Sequence, residues 1–530
     1  MRTKLIYVFL IGISSAALTI AAIAAPPITT WWPVAGQNLF NTHSQPAEDQ
    51  ISPANADLLV MKWSLTTAGN VTATPTVFQG FVYVPDMGGQ LWAVNTGSGT
   101  VRWSRSISSY TGVPDDVSRT SPAVAGRAII LGDGWIRNDV FAGARVFAVD
   151  RLTGELLWLT KVHEHEAAII TSSPVVHNGV AYVGISAKEE GLAGRPGYIC
   201  CTFRGAVVAL DVRTGDILWK TYTVPSNNDE SDINLPDFYS GNGVWGSSPV
   251  VDTQRGLLYV GTGNNFSAPP GVCKEPGEAG CVLSGPDNHF DSILALRLSD
   301  GAVVWATRTL TADVFSAQCF FCGPDLDFGA APNLFTVTDP ATGQPRQVLG
   351  IGQKSGVYWA LDPDTGSVVW STKTGPGGLG GGVEFGTAVD ADRIYVAEAN
   401  TDNEPFLFTA GPLAGQMVAT GFWSALNPAT GAILWQTPDP AGSKNPGFVT
   451  AANGVLYAGS AAGEGGNMHA LDARTGAVLW SFASGGSVFS APAVVHGMLF
   501  WGSGYTRNGA CPSGFNSCVA NNKLYAFGLP

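Results

Sequence analysis

Charge is scarce in this chain. Only 13% of its 530 residues are Asp, Glu, Lys or Arg, and the balance is acidic, at a formal −13. An acidic chain has no electrostatic hold on a nucleic-acid backbone or an anionic membrane surface, so neither is expected as a partner. A basic soluble partner is favoured instead. Cysteine is scarce too, at eight residues. The only CxxC, Cys319 to Cys322, is followed by Gly323 and not by His. That excludes a covalent c-type haem, and no second CxxC completes a four-cysteine zinc site. The glycine-rich run at 375–382 has no Lys-Ser/Thr after it, which excludes a phosphate loop and leaves close backbone approach over a pocket. No Ser-His-Asp signature stands out.

What is present begins with an export signal. Arg2 and Lys4 precede an apolar stretch over 5–24, and Ala22-Ile23-Ala24 is a small-residue cleavage pattern with Pro26 just beyond. The expectation is a signal peptide at 1–24 and one mature domain at 25–530, periplasmic or secreted, without stable membrane insertion after cleavage. An uncleaved anchor helix is the alternative, because the run is just long enough to span a bilayer. Export makes the even cysteine count read as local disulfides: Cys273 with Cys281, Cys319 with Cys322, Cys511 with Cys518, and the adjacent Cys200 and Cys201.

Repetition dominates the rest. One phrase, apolar-Ala-x-Asp-x-x-Thr-Gly followed after three residues by Trp, recurs with endings at Trp103, Trp158, Trp219, Trp305, Trp370, Trp435 and Trp480. It reads as a strand, a tight turn with Gly at a positive-φ position, and a return strand. A second phrase alternates with it: Ser/Thr-Pro, a short apolar run, a turn and an apolar strand, as in "SPVVHNGVAYVG". Together they supply four strands per unit. The chain opens with a lone Trp63 strand, "LLVMKWS", and ends with a lone "KLYAFGLP". Joined, these complete the eighth unit. The fold class is therefore all-β: a single eight-bladed β-propeller of four-stranded blades, closed by N- and C-terminal strands. The repeat tryptophans read as packing between blades.

Residues unlike the repeat collect in the third to fifth units, where spacing lengthens. They are Glu189 and Glu190 after a strand, Trp245 in "GVWGSSP", Asn264 and Asn265 in "GTGNNF", Asp325 and Asp327 in "DLDFG", and Lys354 inside an apolar strand. Strand ends of successive blades converge near the axis, so these side chains can meet. The "VHEHEA" stretch, with His163 and His165, reads as a polar loop ahead of a metal site.

The repeat, with "CCTFRG", "WGSSP", "GTGN" and "DFG" in that order, resembles the pyrroloquinoline quinone (PQQ) alcohol dehydrogenases over about residues 30–530, and most nearly their polyvinyl-alcohol-dehydrogenase-like branch. The resemblance implies PQQ and calcium as cofactors. It places calcium ligands at Glu189, Asn264 and Asp327, with Glu190 as the alternative to Glu189, since strand alternation lets only one point inward. It makes Asp327 the base that takes the alcohol proton and Lys354 the cation on the quinone oxygens. Trp245 becomes the floor under the planar cofactor. Arg119 and Thr171 bind its carboxylates or carbonyls, and a Cys200–Cys201 disulfide covers its other face. The order departs from the methanol-dehydrogenase pattern, because here the cysteine pair follows Glu189, so a loop clasp elsewhere is the other reading. The implied function is an exported quinoprotein oxidising secondary or polymeric alcohols. Without a haem motif, its electron acceptor is a separate protein such as a soluble cytochrome c. The alternative is a non-catalytic propeller, a scaffold or binding protein of the cell envelope.

Overall fold

The computed structural model describes residues 29–134, 142–225, 239–246, 248–269, 271–272, 281–283, 285–318, 323–463, 465–506 and 518–530. The expected signal peptide lies outside them, as do Cys273, Cys319, Cys322 and Cys511. Cys281 and Cys518 are disulfide-bonded. Among the described residues no helix is long and apolar enough to cross a membrane.

Eight four-stranded antiparallel blades follow one another along the chain, the last completed by a strand from before the first, and the short strands Ser44–Gln45 and Ala168–Ile169 add to two of the sheets. They are blade 1 (76–106), blade 2 (123–161), blade 3 (175–222), blade 4 (250–308), blade 5 (333–373), blade 6 (388–438), blade 7 (449–482) and blade 8 (493–528 with 60–66). The first strand of each blade neighbours the first strands of adjacent blades, so these strands form the inner wall. Closure is as the sequence implies. Strand Val60–Thr66 pairs with Lys523–Gly528, and Trp63 stands opposite Ala526.

The repeat phrase has a mechanical meaning. In all eight blades the Trp of the outermost strand pairs across the sheet with the phrase's Ala, as in Trp158↔Ala148 and Trp219↔Ala209. A methyl group opposite leaves room for the indole to lie over the blade face. There it meets the turn of the next blade. A Cβ built on Gly215 would fall 2.6 Å from the Trp158 ring, and one on Gly301 2.4 Å from Trp219. Both glycines also hold φ near +75° (78° and 72°), where a side chain strains. The indole N–H then donates to a carbonyl of that same turn. Trp158 Nε1 reaches Val212 O at 2.7 Å, Trp219 Nε1 reaches Leu298 O at 3.0 Å, and Trp63 Nε1 reaches Thr96 O at 2.8 Å across the closure. Thr160 and Thr221 repeat the link, with hydroxyls 2.7 Å from the Gly215 and Gly301 carbonyls. Two tryptophans depart from the pattern: Trp370 Nε1 has no partner among the described residues, and Trp480 Nε1 reaches Leu59 O at 3.0 Å, ahead of the closing strand and not in a glycine turn.

Residues 32–45, which carry no repeat, thread the axis. Trp32 exchanges bonds with Val77 of blade 1, and the carbonyls of Pro33, Leu39, Phe40, Thr42 and His43 accept from Val124, Val251, Leu334, Val389 and Ala451. Gln45 Nε2 reaches Val494 O at 3.1 Å. A single segment touches the innermost strands of seven blades only by lying across the central channel, which it closes.

Two substitutions separate the parts of the inter-blade lock. Trp158→Phe keeps the ring but strands the Val212 carbonyl, and should cost about 1–2 kcal/mol. Gly215→Ala adds both left-handed strain and overlap with the indole, and should cost more, about 2–4 kcal/mol. Urea unfolding midpoints of the two variants check the order.

Candidate functional site

The loops that enter the innermost strands, and those that leave the second strands, meet at one end of the channel. Arg119, Thr171, Trp245, Asp327 and Glu384 each precede an innermost strand by a few residues. Asn264 and Lys354 each follow a second strand within three. Together with Glu190 and Asp325 they line a cavity of about 260 Å³. Residues far apart in the chain are thus brought together by the propeller's geometry alone.

Asp327 is the best-held group in the cavity. Its Oδ1 accepts from the Asn264 amide at 2.6 Å, and its Oδ2 accepts from Trp245 Nε1 at 2.8 Å and from Lys354 Nζ at 3.3 Å. Lys354 also donates to Asp325 Oδ1 at 2.9 Å and lies 5.2 Å from the Trp245 ring centroid. Lys354 sits in the turn just past strand Pro345–Gly352, not inside a strand as the sequence suggested. Burial alone would lower its pKa, but the Asp325 and Asp327 carboxylates outweigh that and hold it well above the usual value. Burial pushes Asp325 well up, with Lys354 opposing and Asp327 adding. Trp245 brings the edge of its six-membered ring so close to the "DFG" turn that a Cβ on Gly329 would fall 2.2 Å from its Cη2. Its carbonyl accepts from Thr171 Oγ1 at 3.0 Å.

The structure separates the two adjacent glutamates. They occupy one short helical turn, Glu189–Leu192, so strand alternation does not govern them. Glu190 lines the cavity. Glu189 does not. It is fully buried, and its carboxylate accepts from Thr202 N (2.9 Å), Phe203 N (2.7 Å) and Tyr198 Oη (3.1 Å), with His165 Nε2 at 3.4 Å. Glu189 pins a loop, and of the two glutamates only Glu190 lines the cavity. His163 and His165 belong to the same clasp, bonding Arg204 O and Thr202 Oγ1, each at 3.1 Å. Cys200 and Cys201 form their disulfide in this loop. Neither lines the cavity. Cys201 is 2% exposed and belongs to the apolar cluster that holds Phe203 and the cavity-wall residue Phe266.

Asn264 donates both amide hydrogens, to Asn265 O (2.8 Å) and Phe315 O (2.9 Å). That fixes the amide and leaves Oδ1 as its acceptor. Glu190, Asn264 and Asp327 are hard oxygen donors of the kind calcium takes. No group of three His, Cys, Asp or Glu among the described residues is arranged to hold a metal ion. For a planar anionic ligand the fit is direct: an indole face, with Arg119, Lys188 and Lys354 in the walls.

Several cavity groups escaped the sequence reading. Phe385 stands beside Phe448, Phe489 and Tyr505 in an aromatic wall, with Arg119 5.3 Å above the Phe385 ring. Glu384 enters through the glycine-rich run, whose amides at Gly378 and Gly382 bond the Lys354 carbonyl. Asp313 accepts from the amides of Asp325 (3.2 Å) and Leu326 (2.8 Å), and so shapes the turn that presents Asp327. The only sequence signal for the cavity members is positional: each sits just before an innermost strand or just after a second one.

A family model described as "Glucose/ethanol/alcohol dehydrogenase, beta-propeller domain" of the PQQ type matches residues 32–376. A second, described as "Outer membrane protein assembly factor BamB", matches residues 421–513. A polyvinylalcohol dehydrogenase of a Pseudomonas species is 29% identical over 94% of this chain and 77% of its own length. One from a Sphingopyxis species is 29% identical over 85% and 69%. The crystal structure of the quinohemoprotein alcohol dehydrogenase of Comamonas testosteroni superposes with a TM-score of 0.69 at 20% identity, covering 95% of this chain and 81% of that one. At that identity the superposition shows the fold.

Lys354→Met should expose the charge arrangement. It leaves the buried Asp325 carboxylate without its cation, at a cost of about 3–5 kcal/mol when that group is ionised. Protonation relieves the penalty, so the deficit against wild type should be small near pH 4.5 and grow as pH rises. Unfolding midpoints at pH 4.5 and pH 8 read this difference.

Proposed function

Because the chain belongs to the PQQ-dependent alcohol dehydrogenase family of β-propellers, we propose that it oxidises secondary or polymeric alcohols, of the polyvinyl-alcohol kind, with PQQ and calcium, after export. The observation that carries this reading is Asp327, held by three donors on the floor of a cavity that also presents Lys354 and an indole. The printed names of the two 29% identical relatives favour the polymeric alcohol.

The residues divide the work. Trp245 would carry the planar ring system, while Arg119, Thr171 and Lys354 would hold its polar edge. Glu190, Asn264 and Asp327 supply oxygen donors to calcium. The chemistry the bound group supplies is hydride acceptance at a quinone carbon, with calcium as a Lewis acid on its carbonyl. Asp327 takes the hydroxyl proton of the alcohol. The Asn264 and Trp245 donors fix the direction in which it does so. Lys354 is a permanent cation placed where negative charge develops on oxygen. Phe266, Phe315, Phe385 and Tyr505 limit water around the reacting atoms. Electrons leave to a separate acceptor, and an acidic chain favours a basic cytochrome c.

A non-catalytic envelope scaffold is favoured only by the match at residues 421–513. Every charged residue of the cavity lies outside that segment. A scaffold has no use for them.

The test is reconstitution with PQQ and calcium, followed by dye reduction over a panel of primary, secondary and polymeric alcohols. Asp327→Asn should bind PQQ and lose about 10²–10⁴-fold in rate. Dye reduction that survives this substitution, or a protein that binds no PQQ, overturns the reading. With a basic cytochrome c as acceptor, the rate should fall steeply between 20 and 200 mM salt as the Debye length shrinks from about 20 Å to about 7 Å. A salt-independent rate removes electrostatic docking.

A further inference from the structure

Glu384 has no place in the chemistry just described, yet it lines the cavity. It stands at the edge of the floor. A Cβ on Gly329 would touch both the Glu384 carbonyl, at 2.5 Å, and Trp245 Cη2, at 2.2 Å. Its Oε2 is buried and has no hydrogen-bond partner. A buried carboxylate oxygen without a donor is costly, and one that carries a proton is a donor in want of an acceptor. The charged groups that face it are Lys354 and Arg119, which favour the anion, and Asp327, which opposes it. Burial outweighs the two cations and pushes the carboxyl up to about 7. A ligand that brings its own negative charge into this cavity pushes in the same direction.

We propose that Glu384 is a ligand-binding residue of the cavity that acts as a neutral carboxylic acid, donating its proton to an oxygen of the bound anionic quinone. The inference rests on the proposed PQQ reading. Its consequence is that cofactor uptake carries a proton. The free protein loses that proton as pH rises through neutrality, so binding must then recover it from solvent. Affinity should fall by up to about tenfold per pH unit above 7 and be flat below about 6.

The experiment is titration calorimetry of the mature protein with PQQ at saturating calcium, in two buffers of different ionisation enthalpy. Wild type should take up about one proton per PQQ at pH 8.5 and almost none at pH 5.5. Glu384→Gln keeps a donor at every pH. It should take up about one proton fewer at pH 8.5 and bind with an affinity independent of pH between 6 and 8.5. Equal proton uptake in wild type and Glu384→Gln overturns the proposal, as does no uptake by wild type at pH 8.5. The wild-type measurement stands by itself if the variant fails to fold. Absence of PQQ binding at every pH overturns the quinoprotein reading itself and this inference with it.

Discussion

The structure depends on one contact made over and over: an indole of one blade lying under the turn glycine of the next. It requires four things of the sequence at once. An Ala must stand across the sheet from the Trp, the turn must carry Gly at positive φ, a turn carbonyl must face the indole N–H, and the blades must close so that Trp63 meets Gly99. Each requirement is local, yet the contact itself spans two blades. No blade can be completed alone, and the ring is stable only when closed. The apolar faces between sheets supply the bulk of the burial, and the lock fixes the angle at which they meet.

That rigidity is what makes the cavity possible. Its groups come from blades whose members lie up to 386 residues apart along the chain, from Arg119 to Tyr505. Asp327 takes donors from Asn264, Trp245 and Lys354, which sit on three different loops. A shift of one blade by an ångström breaks a donor set whose bonds are 2.6–3.3 Å long. Segment 32–45 adds a second constraint, because it ties the innermost strands to one another from within the channel.

The fold was legible because its rule is a period. Trp, Gly and Ala recur at fixed offsets, and the half-phrases at Trp63 and Ala526 announce the closure. The site was legible only where unusual residues broke the period. Trp245, Asn264, Asp325, Asp327 and Lys354 all meet in the cavity, and so do Arg119 and Thr171. Only one of Glu189 and Glu190 faces the cavity, as strand alternation would also give, but the pair sits in a helical turn, whose neighbours diverge by about 100°, so which of the two faces inward was not legible in the sequence. Segment 32–45 was missed because it has no repeat and no strong pattern. Glu384 was missed because it stands between Val383 and Phe385, just past a glycine-rich run that suggests a loop and says nothing of a carboxyl beyond it.

The vicinal cysteines answer to the same logic. A loop that must pass close behind the cavity has little room, and residues 198–203 spend their polar groups on Glu189 and His165. The disulfide lies in this loop, and Cys201 fills the apolar space behind Phe266. Phe266 in turn forms part of the cavity wall. Stiffness is therefore supplied one layer behind the surface that meets the ligand. Glu189 works in that layer too, holding the turn from which Glu190 enters the cavity. Two adjacent carboxylates thus sit at two depths: the buried one is consumed by protein donors, and its neighbour lines the cavity.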